Sequence, residues 1–397
     1  MQRIITMLIC IILVFSLTAC QPSENPSTEP TPAPSVPSTP AEDAVDAPLH
    51  TFYAVSVPAE VEQLKHENGT VIFEYAYQHI QMQIADQAVA DKVTLDFLNR
   101  VDSTRENAEM IALQAKESYT GSEQWSPYKY HIYYSPTRVD QSVISLFGTR
   151  STFTGGMHPE QSCISVNYDA ANGDALTLGS ILNHIDNKED LCDLVLEELD
   201  RLDYQYSLFD GYEDVVMERF AADESNDEAF YFTNTGLCFY FSPYELAPFS
   251  IGVITIEIPY SELPGILNDA YFPDEYQPSS GKLIAESADQ ADTSRFAQLM
   301  DVVIHPQGEQ VLLYSDKTIR NLKITRGNWT PDGLYFIPDY DVFNATGVSD
   351  KQAISIRLTI PEMLPNLMVS YETANEVRRF YISKSGLDGS VVLLPVE

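Results

Sequence analysis

Apolar and polar positions change period several times along this chain, and each change marks a predicted element. Gly69 to Met82 (GTVIFEYAYQHIQM) alternates and predicts a strand. From Ile84 to Lys116 the period lengthens. Val89, Val93, Phe97 and Val101 recur every four residues, and Ile111, Ala112 and Ala115 resume the stripe after a polar break. That pattern is one long helix or two in succession. Strand character returns in Tyr128 to Tyr134 and Val143 to Phe153, with Pro136 and the polar Arg138 to Gln141 stretch as the turn between them. Two strand-like runs then flank Asn172-Gly173, a strong hairpin signal, within Ser162 to Leu178.

Glu189 to Leu202 carries Leu191, Val195, Leu199 and Leu202 at helical spacing, with acids opposite. Tyr204 to Glu228 is acidic and aromatic and predicts irregular chain with one short helix. Ala229 to Phe241 reads as a hairpin turning at Asn234-Thr235-Gly236. Its aromatic second strand breaks at Pro243, passes a second proline corner at Pro248 and resumes as Ile256 to Tyr260; Ser261 to Asn268 predicts a closing turn of helix. Strands outnumber helices and are interrupted irregularly, so 50–278 is α+β, antiparallel sheets with packed helices, without the βα alternation of a parallel sheet. After a linker at 279–282, short strand candidates fill 283–397: Val302 to Ile304, Val311 to Tyr314, Ile319 to Ile324, Leu334 to Ile337, Ile354 to Ile360, Leu367 to Tyr371, Arg379 to Ser383 and Val391 to Val396. They predict an all-β C-terminal domain, a sandwich or small barrel, whose favoured role is adhesion or spacing.

The N-terminus changes the picture most. Met1-Gln2-Arg3 precedes an apolar run from Ile4 to Leu17, a secretory signal too short to span a membrane as a mature helix. Leu17-Thr18-Ala19-Cys20 resembles a bacterial lipobox. The resemblance implies a signal peptide over 1–19, cleavage before Cys20, and attachment of a diacylglyceryl group to its sulfur, whose palmitate-type acyl chains, two or more in all, hold a protein stably at a membrane. The rest of 20–49 is rich in Pro, Ser and Thr and predicts an extended spacer.

Composition adds less. With 397 residues, 44% of them hydrophobic, the chain has room for two folded units with packed cores. Its formal charge of −35 repels nucleic acid and attracts a cationic protein or a divalent metal. With Cys10 in the signal and Cys20 lipidated, Cys163, Cys192 and Cys238 remain, an odd count that does not make a disulfide framework. A bridge between Cys163 and Cys238 is one reading; three buried thiols packed as small hydrophobes is the favoured one.

Two stretches carry the candidate chemistry: Phe153-Thr154-Gly155-Gly156-Met157-His158-Pro159, and the run from Phe239 through Tyr244, Pro248 and Phe249. His158 has three readings: a ring that fixes a turn, a ligand contact, or a base oriented by Glu160 or Glu245. The turn reading is favoured, because GxSxG, HExxH and zinc-type Cys/His spacings are absent. Asp223 to Glu228 lacks the glycine and terminal glutamate of an EF-hand loop. No catalytic residue, metal or cofactor is therefore assigned. Gly155 and Gly156 suit either positive φ or a close backbone approach. Tyr244, Pro248 and Phe249 are equally exposed anchors for a partner or core at a strand corner.

Four pieces in order carry a family resemblance: FTGGMHP, the Asn-Gly hairpin ending in Leu176-Thr177-Leu178, FYFSPYELAPF, and the Ile-Pro-Tyr-Ser-Glu-Leu close. Together 50–278 resembles the extracellular domain shared by RsiV-type anti-sigma factors and PdaC-type peptidoglycan deacetylases. The resemblance implies a PdaC-like α+β subdomain at 50–150 and an RsiV-like one at 151–278. In RsiV-type proteins such a region binds lysozyme; in PdaC-type proteins it accompanies a catalytic domain. Here the sigma-binding segment, the spanning helix and a deacetylase domain have no counterpart, and Met157 stands where small residues are usual.

The expectation is a membrane-anchored extracytoplasmic binding or sensing lipoprotein on the outer face of a Gram-positive membrane. It would recognise a cell-wall-associated protein, a basic muramidase such as lysozyme being the candidate, or a glycan, through Gly155, Gly156, His158, Tyr244, Pro248 and Phe249. The rival reading is a cell-wall-modifying hydrolase or a deacetylase accessory protein. A third is docking of a neighbouring membrane enzyme through 283–397.

Overall fold

The strand that joins the molecule is β1 (Tyr53–Lys65), which the sequence pattern does not announce. In the computed structural model, which describes residues 52–84, 86–122, 124–202, 207–221, 230–273, 280–361, 364–373 and 376–396, β1 lies in the middle of a ten-stranded sheet. Cys20, the proline-rich spacer and Asp223 to Glu228 lie outside the described residues. Pro58 sits in the register break between Val57 and Glu60, where a proline removes no ladder hydrogen bond.

From β1 the chain turns into β2 (Val71–Gln83), antiparallel to it, then into α1 (Gln87–Ser118). The long apolar stripe resolves as one helix, with the Asp86 side chain accepting from the Ala88 N–H at 2.8 Å at its start. Val93, Phe97, Val101 and Ala115 are buried against one face of the sheet. β3 (Tyr128–Val139) runs parallel to β2, and β4 (Val143–Phe153) and β5 (Glu160–Asp169) follow antiparallel, with β5 at the free edge.

After β5 the Asn-Gly turn forms as predicted, Gly173 at φ 73 donating to Asp169 O at 2.7 Å, but its second arm is a single bridge between Tyr168 and Ala175. A capping box at Thr177 and Ser180 starts α2 (Leu178–Ile181), which takes Leu178 and Ile181 into another core. α3 (Asn187–Arg201) buries Leu191, Val195 and Leu199, while Leu202 caps it in partial exposure. α4 (Tyr212–Ala221) packs beside it. Against these helices lies a three-stranded sheet of β6 (Phe230–Phe232), β7 (Gly236–Phe241) and β8 (Ile254–Pro259). In β7, Leu237, Phe239 and Phe241 face the helices, whereas Cys238 and Tyr240 pack with Cys163 of β5 and Phe147 of β4. The small sheet thus covers the face of the large sheet opposite α1.

That interface is polar at its heart. Ser145 Oγ donates to Asn167 Oδ1 at 2.7 Å and accepts from the Phe232 N–H at 2.9 Å, and Asn167 Nδ2 donates to Phe230 O at 2.8 Å. Arg138 is 1% exposed and donates to Asp140 Oδ2, to the Tyr260 hydroxyl and to Tyr271 O, each at 2.6 Å. Burial opposes its charge, but Tyr260 and Asp140 hold its pKa above the ordinary arginine value.

In the C-terminal part, β9 (Leu283–Ser287), β10 (Gln298–Val303), β11 (Glu309–Ser315) and β14 (Gln352–Leu358) make a four-stranded sheet in the order β10-β14-β11-β9. β12 (Ile319–Trp329), β13 (Phe336–Val348), β15 (Leu367–Glu372), β16 (Val377–Lys384) and β17 (Val391–Pro395) extend the ten-stranded sheet, with β13 pairing with β1. The predicted two-layer packing forms, yet one of its layers is the shared sheet, and Tyr53 and Val55 of β1 belong to its core. The strand content, the helices and the β-rich C-terminal region make the fold α+β. Among the described residues no helix is long and apolar enough to cross a membrane.

Candidate functional site

β4 and β5 are last paired at Thr152 and Glu160, so the glycine–histidine stretch is their connecting loop. Gly155 and Gly156 stand at φ 99 and 106, a region that side chains penalise. A Cβ on Gly156 would meet no atom within 4 Å, so the requirement is on the backbone and not on space. Met157 is wholly exposed, and His158 is exposed with its Nδ1 3.1 Å from Pro159 O.

The second loop leaves β7 at Ser242. Glu245 N–H donates to Ser242 O at 3.0 Å while Ser242 N–H donates to Glu245 Oε2 at 2.5 Å, a reciprocal pair that closes a tight turn. Inside it Tyr244 takes φ 74, the left-handed region that costs a residue with a Cβ about 1–2 kcal/mol. Arg219 of α4 braces the turn: it donates to Tyr240 O and, at 2.8 Å, to Glu245 Oε1, and its guanidinium lies 4.5 Å from the centre of the Phe241 ring. Leu246 and Ala247 are buried, and Phe249 begins a 3-10 turn after the exposed Pro248, ended by Gly252 at φ 81.

The two loops meet because Cys163 on the free edge of β5 donates its N–H to Ser242 Oγ at 2.9 Å. His158 then stacks on Phe249 with ring centres 4.1 Å apart and planes 17° apart. Tyr244 completes the cluster, 5.6 Å from Phe249 and 6.5 Å from His158. Of the residues singled out in the sequence, His158, Tyr244 and Phe249 therefore converge, Pro248 flanks them, and Gly155 and Gly156 shape the loop below. Tyr244 is 58% exposed and Phe249 half-buried, so the corner is a surface of rings and not core.

Glu245 bonds Arg219 and Ser242 rather than His158, whose Nδ1 partner is a carbonyl. Cys163, Cys192 and Cys238 are free and buried, and burial pushes the Cys163 and Cys238 thiols up to about 12, far from a reactive thiolate. Among the described residues no group of His, Cys, Asp and Glu is placed to hold a metal ion.

Where the glycine–histidine loop leaves and rejoins the sheet, at Phe153 and Pro159, is a groove of about 360 Å³, lined also by Lys129, His131 and Ser151 among others. Burial, with Lys129 adding to it, lowers the His131 pKa, and His131 Nε2 is buried without a hydrogen bond. No sequence motif marks this groove. The alternation of Tyr128 to Tyr134 is the signal that puts Lys129, His131 and Tyr133 on one face.

Comparison with known proteins follows this geometry only in part. Residues 181–261 match a family described as a protein of unknown function, DUF3298. That stretch contains Tyr244, Pro248 and Phe249 but not the glycine–histidine loop. A crystal structure of a DUF3298-family member from Bacteroides fragilis is similar at 18% identity, over 55% of this chain and 94% of that one, with a TM-score of 0.40. Another, from Pseudomonas aeruginosa, is similar at 17% identity over 55% and 98% of the two chains, with a TM-score of 0.36. No curated protein matches the chain.

Proposed function

We propose that this chain is a non-catalytic binding lipoprotein, anchored through Cys20 on the outer face of a Gram-positive membrane. Its ring corner recognises a cell-wall-associated protein. The observation that carries the reading is Tyr244: a large ring 58% exposed, held at φ 74 by a turn that Arg219 and Glu245 brace. A strained residue presenting an aromatic surface is better suited to a partner than to folding. The −35 charge favours a basic partner through faster encounter, so the candidate is a basic muramidase. The DUF3298 match lends the RsiV/PdaC-type resemblance support, since that domain occurs in such proteins.

The test is retention of lysozyme on the immobilised protein at low and high salt. Retention that falls with salt, and falls about tenfold or more in Tyr244→Gly, supports the proposal. Glycine accepts φ 74, so that variant keeps the turn and removes only the ring. Absence of retention at low salt removes the muramidase reading. A changed muropeptide profile after incubation with peptidoglycan, abolished in His158→Ala, would replace it with a wall-modifying enzyme.

A further inference from the structure

A second surface arises where β13 parts from β1. β13 pairs with β1 only over Phe343–Ala345 opposite Tyr53–Val55; its earlier half stays on β12 and passes over β3. The Ser135 hydroxyl pins it there, donating to Asp341 O and accepting from the Asp341 N–H, both at 2.8 Å. Asn344 Nδ2 adds a bond to Thr137 O at 3.0 Å. Between this arm and the β3–β4 face lies a groove of about 480 Å³, within the usual range for small-molecule sites. Tyr133, Ser135, Phe147, Thr149, Asp339 and Tyr340 line it. It shares no residue with the corner formed by His158, Tyr244 and Phe249.

Its rings are held from behind. Phe147 stacks on Tyr231 at 4.5 Å and packs on Tyr240 at 5.1 Å; Tyr340 rests against the C-terminal core; Tyr133 is 37% exposed. Such rings offer apolar faces at little cost in side-chain entropy. Burial first, then the neighbouring Tyr340 and Glu74, push the Tyr133 phenol up, so it is a neutral hydroxyl at ordinary pH. Asp339, exposed at the rim, adds a carboxylate, and Thr149 a hydroxyl. Among the described residues no Lys, Arg or His lines the groove, although the Tyr133 hydroxyl lies 3.3 Å from His131 Nδ1.

This chemistry selects among ligands. An anion would meet Asp339 with no counter-charge, on a chain of net charge −35. A wholly apolar ligand would strip water from the carboxylate and hydroxyls and return no hydrogen bond. A neutral sugar ring meets both demands: its C–H face lies on the aromatic faces, and its hydroxyls donate to Asp339 and exchange bonds with Thr149 and the phenols. We propose that the groove between β3, β4 and the arm of β13 is a binding site for a short neutral oligosaccharide. It is a carbohydrate contact separate from the protein-binding corner, and it stands or falls independently of it.

The experiment titrates the purified protein with chitotetraose and with cellotetraose by calorimetry and by saturation-transfer NMR. Saturable binding of at least one is expected, weakened about tenfold or more in Tyr340→Ala and in Tyr133→Ala, the scale on which truncation of an aromatic anchor at a binding surface is felt. Asp339→Asn, at an exposed position that does not threaten folding, should weaken it several-fold. Tyr244→Gly should leave it unchanged. The proposal is overturned if neither tetrasaccharide binds by about 10 mM, a dissociation constant worth under about 3 kcal/mol. It is also overturned if binding persists in Tyr340→Ala and Asp339→Asn, or if a sulfated oligosaccharide binds more tightly than both neutral probes.

Discussion

Arg138 offers the sharpest test of how the two halves of the ring corner are held together. It lies on β3, while Tyr260 and Tyr271 belong to the layer that carries the loop with Tyr244 and Phe249. Replacing it by methionine keeps an unbranched apolar stem in the site, so the packing loss is small. The polar loss is not small. Asp140 keeps the N–H groups of Ser142 and Val143 on Oδ1 at 2.8 and 2.9 Å but loses its cation, and it is only 17% exposed. Tyr260 still donates to Thr233 O at 2.9 Å, whereas the Tyr271 carbonyl loses the guanidinium that donates to it. Charging the carboxylate and the carbonyl about 1–3 kcal/mol each gives a destabilisation of about 2–6 kcal/mol, a span that includes the roughly 3–5 kcal/mol usual when one partner of a buried pair is removed. Urea unfolding followed by circular dichroism measures it. The ring-proton shifts of His158, set by stacking 4.1 Å from Phe249, report whether the layers have parted. In Arg138→Met both should change, and adding Asp140→Asn should recover about 1–3 kcal/mol relative to the sum of the two single losses. A loss under about 1 kcal/mol, the worth of a surface ion pair, would mean that Arg138 does not hold the two layers together.

Two further outcomes follow from close contacts and protonation. In Gly148→Ala the new Cβ would lie 2.2 Å from Tyr133 O and 2.9 Å from the Tyr134 ring; because the nearer atom is backbone, the β3–β4 pair must shift, a destabilisation of about 1–3 kcal/mol that lowers the urea midpoint. A midpoint within error of the parent would contradict the β3–β4 geometry. His131 has its pKa lowered by burial, so the unfolded chain binds its proton more readily than the folded one. Its contribution is fully present above the ordinary value of about 6.5 and is lost as pH falls through that value toward the lower folded one. Unfolding measured between about pH 5 and 7.5 should therefore show a gentler acid slope in His131→Gln. An unchanged slope would mean that His131 is as hydrated in the fold as out of it.

Much of the local structure is legible in the residues. The four-residue recurrence from Val89 to Val101 becomes the buried face of α1, and the alternation that begins at Ile256 falls within β8, where every second residue is buried, although Tyr260 lies beyond its end. Leu191, Val195 and Leu199 likewise mark the core face of α3. These signals survive in one dimension because each position's polarity records which side of its own element meets water. Gly155 and Gly156 are legible for a related reason: positive φ is a local demand, satisfied or not by the residue itself.

The strands that build the large sheet are less so. β1 is obscured by Pro58, and β13 is predicted only at its first residues because Asp341, Asn344 and Gly347 break its apolar run. Those polar residues belong in a strand only once distant partners exist: Asp341 accepts from Thr325 at 2.6 Å and is bonded by Ser135, and Asn344 reaches the carbonyls of β3. The corner has the same character. Nothing within either loop brings His158 to Phe249; the bond from the Cys163 N–H to Ser242, and the packing of β7 on β5, do. The sequence alone determines which residues turn inward and where the backbone must bend. Only the tertiary structure decides which edges and loops become neighbours, because that depends on hydrogen bonds and buried contacts between positions that no local period connects.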